Sequence, residues 1–432
     1  MRTAKGFADL PSRKLVDVWT AISVNIVLIN HYAGSLRHGM EYRPFFMARE
    51  WVRAGHSVTI VAASHAHSRS RDPHTEAGLS REVLDGIQYL WLRTPSYRGN
   101  GARRVANMLT FVARVMRYTR WIVRACRPDI VIASSTYPLD IVPAYRIAKC
   151  AAATLMFEVH DLWPLSPMLL SGMSAKHPFI VLLQWAEDFA YREADWVVSM
   201  LPNAKPYMVS RGMSPEKYLY VPNGVDLSEW ESSPSELPAE HAKLIASLRG
   251  KGRFLIGYAG AHGLANALDS VVRAGEALAS TAASLVLVGD GPEKPSLQQL
   301  AKSLGLAEVH FLPSVPRRTV PALIGSMDAM IISLKRSPLF QFGVSPNKLM
   351  DYMIAEKPVI QAIDASSDIV GDCGCGLSVP GENPSAIANA AMTLMAIGPD
   401  RLAAMGRLGK QYVTARHDYR VLAREFLKPV LS

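Results

Sequence analysis

Short apolar runs alternate along the chain with longer stretches whose apolar residues recur at helical spacing. In the first half, the apolar runs lie at residues 24–30, 57–62, 87–92, 129–133, 154–159 and 196–200. Residues 40–54 form an amphipathic stretch that ends before Gly55, a typical helix stop. Because the runs are apolar at nearly every position, both faces of each strand should be buried, which indicates a parallel sheet covered by helices.

The same alternation begins again after residue 219. Further strands are predicted at 254–258, 284–288, 309–312, 329–332, 358–361 and 376–379. Helices are predicted over 265–279 and 294–304. The repeat predicts an α/β protein with two βα domains in tandem and a cleft between them, where ligands bind beyond the carboxyl ends of the strands.

The length of 432 residues suits two domains of ordinary size. We assign residues 22–212 to the first domain and 213–412 to the second. Residues 1–21 are predicted to be a flexible leader, and 413–432 a C-terminal helix.

Composition excludes several classes of protein. Hydrophobic residues make up 49% and charged residues 19% of the chain, which excludes wholesale disorder. Four cysteines are too few for a disulfide scaffold. No apolar run reaches the roughly 18 residues of a membrane-spanning helix. The apolar run at 21–29 lacks a small-residue cleavage site, so we expect a cytoplasmic protein.

The excess of basic residues lies in the N-terminal half. Residues 1–214 hold 26 basic and 16 acidic side chains, whereas residues 215–432 hold 21 of each. Such asymmetry predicts an anionic partner, namely a membrane, a substrate or a nucleic acid. No nucleic-acid motif or stacking array of aromatic residues accompanies the charge, so we expect no nucleic-acid partner.

Arginines and apolar residues interleave in the stretch around 103–127. We predict an anionic membrane face there that includes Arg114, Arg117, Arg120 and Trp121. The alternative is a helix with a solvated basic face.

Glycine-containing turns follow several predicted strands. A Gly-Asp-Gly turn at 289–291 follows the strand at 284–288, and an ordinary βα turn is the alternative explanation. Between a strand and the predicted helix at 265–279 lies a glycine-containing loop with Gly260, His262 and Gly263. Such a loop can receive a phosphate group at the N-terminus of the helix, here expected at 262–265.

Two cationic sites follow in the second half. Lys335 and Arg336 come after the strand at 329–332, where they would neutralise a diphosphate; a solvated basic pair is the alternative. Ser345 and Asn347 lie at a helix start whose amide groups can hold a diphosphate, and Lys348 adds a cation.

The block Phe-Gly-Val-Ser-Pro-Asn-Lys-Leu-Met-Asp-Tyr-Met at 342–353, with Ala-Glu-Lys-Pro-Val-Ile at 355–360, is the most specific motif. It resembles the donor-sugar block of retaining GT-B glycosyltransferases of family 4, and the resemblance extends over about 24–425. The resemblance implies the GT-B fold, a nucleotide-diphosphate sugar donor, transfer with retention, and a C-terminal helix that crosses back to the first domain. No Asp-any-Asp triplet occurs in the chain, so we expect no metal.

The resemblance also implies roles for individual residues. Asp351 would hold the ribose of the donor. The family pattern has two glutamates eight positions apart, whereas this chain has Gly343 and Asp351, so backbone amides are expected to contact the donor sugar instead. The donor-binding residues implied in this block are Val344, Ser345, Asn347, Lys348 and Asp351.

In the first half, the resemblance points to two further positions. His160 matches the family histidine close to the transferred sugar, and Asp161 follows it; we expect both to be catalytic. Gly39 and Glu41 match the first loop of the family, where backbone and an acidic residue meet the acceptor.

The sequence therefore predicts a glycosyltransferase that uses a nucleotide-sugar donor, expected to be a UDP-sugar, and a lipid-linked or saccharide acceptor. The resembling family members build O-antigen, capsule or exopolysaccharide, so we expect a peripheral protein on the inner face of the cell membrane. Two alternatives stay open: a sugar-nucleotide epimerase of the same fold, or a non-catalytic protein that binds membrane or nucleic acid.

Overall fold

The computed structural model describes residues 23–39, 42–73, 75, 78–99, 101–231 and 235–431. The predicted leader and the candidate residue Glu41 lie outside the described residues. The chain divides into two compact units. The first contains the described residues up to Val159, then Trp185–Val198 and the chain from Ala423, and the second contains His160–Gln184 and Ser199–Leu422.

The first sheet has eight strands in the order β3-β4-β2-β1-β5-β6-β7-β8. The elements up to residue 250 are β1 (Asn25–Ile29), α1 (Tyr42–Arg53), β2 (Ser57–Ala63), β3 (Leu79–Leu84), β4 (Ile87–Leu92), α2 (Ala102–Cys126), β5 (Ile130–Ala133), α3 (Ile141–Ala151), β6 (Thr154–Val159), α4 (Leu165–Ser171), α5 (Pro178–Glu193), β7 (Trp196–Ser199), α6 (Lys205–Ser210), β8 (Tyr218–Tyr220), α7 (Ser228–Glu231) and α8 (Ala239–Gly250). The inner strands are parallel, as predicted: Ile26 on β1 pairs with Val58 on β2 and Ile130 on β5.

The second sheet has six parallel strands in the order β11-β10-β9-β12-β13-β14. Its elements and those that follow are β9 (Phe254–Ala259), α9 (Leu268–Leu278), β10 (Ala283–Val288), α10 (Lys294–Ser303), β11 (Val309–Leu312), α11 (Val320–Gly325), β12 (Ala329–Ser333), α12 (Asn347–Ile354), β13 (Val359–Ala362), α13 (Ile369–Cys373), β14 (Gly376–Val379), α14 (Pro384–Ile397), α15 (Pro399–Arg416) and α16 (Tyr419–Leu431).

Strand β10 shows why these strands appear as continuous apolar runs. All six of its residues are buried. Val286 and Val288 belong to one apolar cluster, whereas Leu285 and Leu287 belong to another. Because successive side chains of a strand point to opposite faces, the two clusters cover the two faces of the sheet. The predicted α/β fold class with two βα sheets is therefore confirmed.

Two sequence predictions are wrong in detail. The first sheet is not entirely parallel, because β3 forms an antiparallel hairpin with β4. The helix predicted over 265–279 is interrupted: Leu264–Asn266 is a 3₁₀ turn, and α9 begins only at Leu268. Ala267 between them has a φ of 44°, a left-handed conformation that a continuous helix cannot contain. No α-helix therefore starts at 262–265.

The end of the chain packs within the first unit. Trp51 on α1 donates a hydrogen bond from its indole nitrogen to the carbonyl oxygen of Ala423 at 2.9 Å. Its ring also lies edge-on to Phe426, with ring centroids 5.3 Å apart. Both side chains are fully buried, so α16 contributes to the core of the first unit. Within the described residues, no helix combines the length and the apolar character that crossing a bilayer requires.

Candidate functional site

A cavity of about 480 Å³ lies at the carboxyl ends of strands in the second unit. Its lining comes from the ends of β9 and β10, from the loops after β9, β10 and β11, and from helices α11 and α12: Ala259, Gly260, Ala261, Val288, Gly289, Asp290, Ser314, Val315, Arg317, Val320, Leu323, Ile324, Asn347, Lys348, Asp351 and Tyr352. Four residues predicted from the sequence, Gly260, Asn347, Lys348 and Asp351, are therefore brought together.

The loops after β9 and β10 pack backbone against backbone on one side of this cavity. The amide of His262 donates to the carbonyl of Asp290 at 2.9 Å, and the amide of Gly260 donates to Val288 at 2.9 Å. A Cβ on Gly289 would overlap the carbonyl oxygen of Gly260, so only glycine allows this approach. The predicted glycine turns thus form a main-chain wall.

Lys348, which is half-buried, places an ammonium group beside this wall. Its Nζ donates to the hydroxyl of Tyr258 at 2.8 Å and to the side-chain oxygen of Asn266 at 2.6 Å. Both acceptors are neutral, and burial lowers the pKa of Lys348 to about 8. A bound anion would stabilise the charged form, which makes Lys348 suited to a phosphate group.

Helix α12 begins at the cavity with Asn347. The preceding Pro346 is extended, with φ −77° and ψ 124°, and no side chain caps the helix. The first amides of a helix have no partner within it and carry a partial positive charge, so they can bind an anion next to Lys348.

Ser345 and Val344 contact other loops of the second unit. The Ser345 hydroxyl accepts a hydrogen bond from the amide of Asn223 at 2.9 Å, and its carbonyl accepts from the Asn223 side chain at 2.7 Å. The amide of Val344 donates to the hydroxyl of Ser367 at 3.2 Å. These bonds fix the entry to α12, and the donor-contacting roles of both residues stay predictions.

Gly343 occupies a position that excludes a side chain. Its φ is 86°, and a Cβ there would lie 2.5 Å from Cγ of Pro202. A glutamate at this position would need both a left-handed backbone and the displacement of a proline ring. The geometry at position 343 therefore leaves no room for the glutamate that the family pattern would place there.

Asp351 on α12 is buried and faces an arginine that the sequence interpretation missed. Arg317 donates from Nη1 and Nη2 to the two carboxylate oxygens, at 3.3 Å each. Arg317 also donates to Glu229 Oε2 from Nε at 3.1 Å and from Nη2 at 2.9 Å. Burial raises the pKa of Asp351, and the charge of Arg317 opposes that shift. The basic pair at 317–318, in the loop that follows β11, was the available signal.

His262 is buried behind the cavity wall and does not line the cavity. Its ring lies between Tyr258 and Phe311, with centroid distances of 6.0 and 6.2 Å. Burial, with the nearby charges of Lys294 and Lys348, lowers its pKa to about 4. The imidazole is therefore neutral near pH 7 and supports the loop through packing and its backbone.

Lys335, Arg336 and Gly263 lie away from the larger cavity. Gly263 and Lys335 line a smaller cavity of about 220 Å³. The Arg336 side chain donates to Asp364 at 2.6 Å, and its amide donates to Glu382 at 2.8 Å. Diphosphate binding by these residues stays a prediction.

His160 and Asp161 follow β6 directly. The Asp161 carboxylate accepts from the hydroxyl of Ser166 at 2.7 Å and from the amide of Leu162 at 2.9 Å, which stabilises the start of α4. His160 is half-buried. Their catalytic roles stay predictions.

Glu158, at the end of β6 in the first unit, is a further polar residue that the sequence interpretation missed. It accepts from Arg43 Nε at 2.9 Å and from the Ser134 hydroxyl at 2.6 Å. Gly39 lies in a turn, where its amide donates to Ser35 O at 2.8 Å.

The predicted membrane face on α2 is divided in the structure. Arg117 and Arg120 are exposed. Arg114 instead donates to the carbonyl of Gly78 at 3.1 Å, and Trp121 is half-buried with the Arg81 guanidinium 4.7 Å from its ring centroid. Only part of the predicted set is therefore free to meet a surface.

Comparisons with known proteins agree with this architecture. Residues 39–224 match the family described as "Glycosyl transferase 4-like domain", and residues 252–396 match "Glycosyl transferases group 1". The putative colanic acid biosynthesis glycosyl transferase WcaI of Escherichia coli K12 is 22% identical over 333 residues, covering 74% of this chain and 79% of that protein.

Solved structures show the same fold. HepE from Anabaena, in complex with UDP and glucose, superposes with a TM-score of 0.64 and 18% identity, covering 95% of this chain and all of that one. WaaG, a glycosyltransferase involved in lipopolysaccharide biosynthesis, gives a TM-score of 0.63 at 13% identity, covering 94% of this chain and 99% of that one.

Proposed function

Because the chain belongs to the GT-B glycosyltransferases of family 4, we propose that it transfers a sugar from a UDP-sugar to a lipid-linked or saccharide acceptor. In this proposal the transfer retains the anomeric configuration and serves the synthesis of a cell-surface polysaccharide. The similarity to WcaI, assigned to colanic acid biosynthesis, and to WaaG, involved in lipopolysaccharide biosynthesis, supports a role in polysaccharide synthesis. The similarity to HepE, solved in complex with UDP and glucose, supports UDP as the nucleotide.

The arrangement of Lys348, the α12 N-terminus and Asp351 around one cavity carries the proposal. Asn347 and Asp351 lie one helical turn apart on α12 and both line the cavity, an arrangement in which the phosphates would lie at the helix start and the ribose at the carboxylate. A carboxylate accepts hydrogen bonds from two neighbouring hydroxyl groups, as a ribose presents them.

The chemistry follows from where charge develops. As the bond from sugar to phosphate breaks, negative charge grows on the diphosphate, and the Lys348 ammonium and the α12 amides stabilise it. We propose that these groups make a metal unnecessary. The leaving phosphate takes the proton of the acceptor hydroxyl, and His160 and Asp161 lie near the transferred sugar.

We also propose that the protein works at the inner face of the cell membrane. A lipid-linked acceptor resides there, and the excess of basic side chains in residues 1–214 favours an anionic surface. Arg117 and Arg120 are the exposed members of the predicted face.

A thermal-shift panel of nucleotide sugars and free nucleotides, with and without EDTA, tests the donor. We expect stabilisation by UDP and a UDP-sugar that EDTA does not change. Turnover with a lipid-linked acceptor then separates transfer from epimerisation of the donor. Stabilisation by none of the nucleotides would contradict the proposal and favour a non-catalytic binding protein.

A further inference from the structure

A strained break in the backbone separates β9 from α9. Leu264–Asn266 is a 3₁₀ turn, and Ala267 has a φ of 44° before α9 begins at Leu268. A left-handed backbone is unfavourable for alanine, and such conformations are concentrated at sites where function requires them. The break makes Asn266 the last residue of a turn instead of a residue inside a helix.

Asn266 is held by both its main chain and its side chain. Its amide donates to the carbonyl of Gly263 at 3.0 Å, and its carbonyl accepts from the hydroxyl of Ser333, at the end of β12, at 2.6 Å. Its side-chain nitrogen donates to the carbonyl of Ala261 at 2.9 Å. Because only the amide nitrogen of this side chain can donate to a carbonyl, the side-chain oxygen has to face the opposite direction.

The side-chain oxygen of Asn266 faces the ammonium group of Lys348. It accepts a hydrogen bond from Lys348 Nζ at 2.6 Å, and the hydroxyl of Tyr258 accepts a second one at 2.8 Å. The Tyr258 hydroxyl in turn donates to the carbonyl of Ala261 at 2.8 Å, so Ala261 holds both acceptors. An ammonium group has three N–H donors, and these two acceptors from the described chain leave one donor for a ligand in the cavity that Lys348 lines.

We propose that Asn266 is a positioning residue for Lys348: its side-chain oxygen holds the ammonium group at the cavity, where the third N–H meets the diphosphate of the donor. The proposal depends on the proposed function for the identity of that anion. It also gives the strained turn a role, because a continuous helix over 265–279 would lack the left-handed residue and direct the Asn266 side chain elsewhere. Asn266 acts through Lys348 and does not itself contact the donor.

The other titratable groups around Lys348 are either neutral or paired near pH 7. Burial raises the pKa of Tyr258, so its hydroxyl stays neutral, and His262, with a pKa lowered to about 4, is neutral as well. The carboxylates that line the cavity are each paired with a cation: Asp290 with Lys294 and Asp351 with Arg317. We therefore expect the pH dependence of ligand binding above neutral pH to come from Lys348, whose pKa burial lowers to about 8.

Three substitutions change the acceptors of the Lys348 ammonium group one at a time. Asn266→Leu removes the side-chain oxygen at similar size, and Asn266→Asp replaces it with a charged acceptor. Tyr258→Phe removes the second acceptor and keeps the ring. The matched control, Asn389→Leu, changes an exposed asparagine on α14.

Two measurements on the full chain test the positioning role. Titration calorimetry with UDP, repeated over a range of pH above neutral, gives the pH midpoint at which affinity falls. NMR titration of the free protein labelled with ¹³C-lysine gives the pKa of Lys348 directly, and the Lys348→Met variant assigns its resonance. The second measurement needs no nucleotide, so it reports on Asn266 whether or not UDP is the ligand.

We expect both measurements to order the variants by the strength of the acceptor. Asn266→Leu should lower the Lys348 pKa by about one unit, since it removes a hydrogen bond to the charged amine, and Tyr258→Phe should lower it as well. Asn266→Asp should raise it by about one unit. Near neutral pH, Asn266→Leu should bind UDP at least about threefold more weakly, because less of the amine is charged. The Asn389→Leu control should match the wild type.

An unchanged Lys348 pKa in Asn266→Leu would overturn the proposal. A loss of UDP affinity in that variant without any shift of the Lys348 pKa would overturn it too, because that result would limit Asn266 to the folding of the loop. A wild type that does not bind UDP, with Lys348 pKa values in the expected order, would contradict the proposed donor and still support the positioning of Lys348 by Asn266.

Discussion

Arg317 faces Asp351 with both terminal nitrogens, each 3.3 Å from a different carboxylate oxygen. The carboxylate is therefore already satisfied before any ligand arrives. Ribose hydroxyls that bind Asp351 have to share its oxygens with the guanidinium or displace it. Glu229 offers Arg317 a second acceptor at 2.9 Å, so the arginine keeps a partner in either case.

Asp351→Ala should weaken UDP binding at least tenfold, because a hydrogen bond to a charged group contributes about 1.5–3 kcal/mol. Titration calorimetry with UDP measures the change. Asp372→Ala, which removes an exposed carboxylate on α13, is the control and should bind as the wild type does. Unchanged UDP affinity in the Asp351 variant would show that Asp351 does not bind the ribose.

Arg317→Gln should destabilise the fold by about 1–3 kcal/mol, since it leaves a buried carboxylate without its cation. Without Arg317, the folded-state pKa of Asp351 rises further above its unfolded value. The loss of stability relative to the wild type is then fully present above the folded-state pKa of Asp351 in the variant, and it disappears as pH falls below the folded-state pKa of Asp351 in the wild type. Urea unfolding at several pH values measures this, with Arg318→Gln as the control. A deficit that grows on acidification would contradict the ion pair.

UDP affinity should fall as pH rises through about 8, the pKa to which burial lowers Lys348. The anion favours the protonated amine, so above that pH binding must be accompanied by proton uptake. Lys348→Met should weaken binding at neutral pH and remove this dependence. Lys335→Met serves as the comparison. An equal loss of UDP affinity in that variant would show that both lysines bind the diphosphate.

Gly343→Ala should cost more stability than Gly398→Ala. Both glycines have a positive φ, 86° at Gly343 and 87° at Gly398, so both positions share the backbone penalty of about 1 kcal/mol for a non-glycine residue. Only position 343 adds a clash with Pro202, because nothing lies within 4 Å of a Cβ at position 398. Thermal unfolding of both variants measures the difference in stability. Equal losses of stability would show that the Pro202 ring moves aside without an energetic penalty.

Asp161→Ala and Ser166→Ala should each cost about 1 kcal/mol, because both remove the same hydrogen bond at the start of α4. If Asp161 also acts in catalysis, its variant loses turnover while the Ser166 variant keeps it. Single-turnover assays on both variants make the comparison. Equal turnover would limit Asp161 to a structural role.

The strand pattern was readable from the sequence because strands buried on both faces leave continuous apolar runs. The prediction of 154–159 agrees with β6, and that of 309–312 agrees with β11. Strand β3 was missed because it is an edge strand with Arg81 and Glu82 in its middle and only partial burial. The break before α9 was missed because nothing in the residue type of Ala267 signals a left-handed backbone.

The candidate site was predictable where it rests on local features. Gly260, Lys348 and the start of α12 belong to turns and helix ends that short motifs reveal. The pairing of Arg317 with Asp351 joins residues 34 positions apart, and Glu229 lies 88 positions from Arg317. Such pairs depend on how the strands are ordered in the sheet, which composition and spacing do not encode.

The approach of Gly289 to Gly260 separates a part of the cavity wall that tolerates no substitution at 289 from a part that side chains shape. The wall built from these loops is main chain, so its shape persists only while glycine is retained at 289. Changes in sugar or base preference are therefore expected from side chains that line the rest of the cavity, such as Val315 and Val320. A library randomised at those two positions would explore donor preference while leaving Lys348, Asp351 and the start of α12 intact.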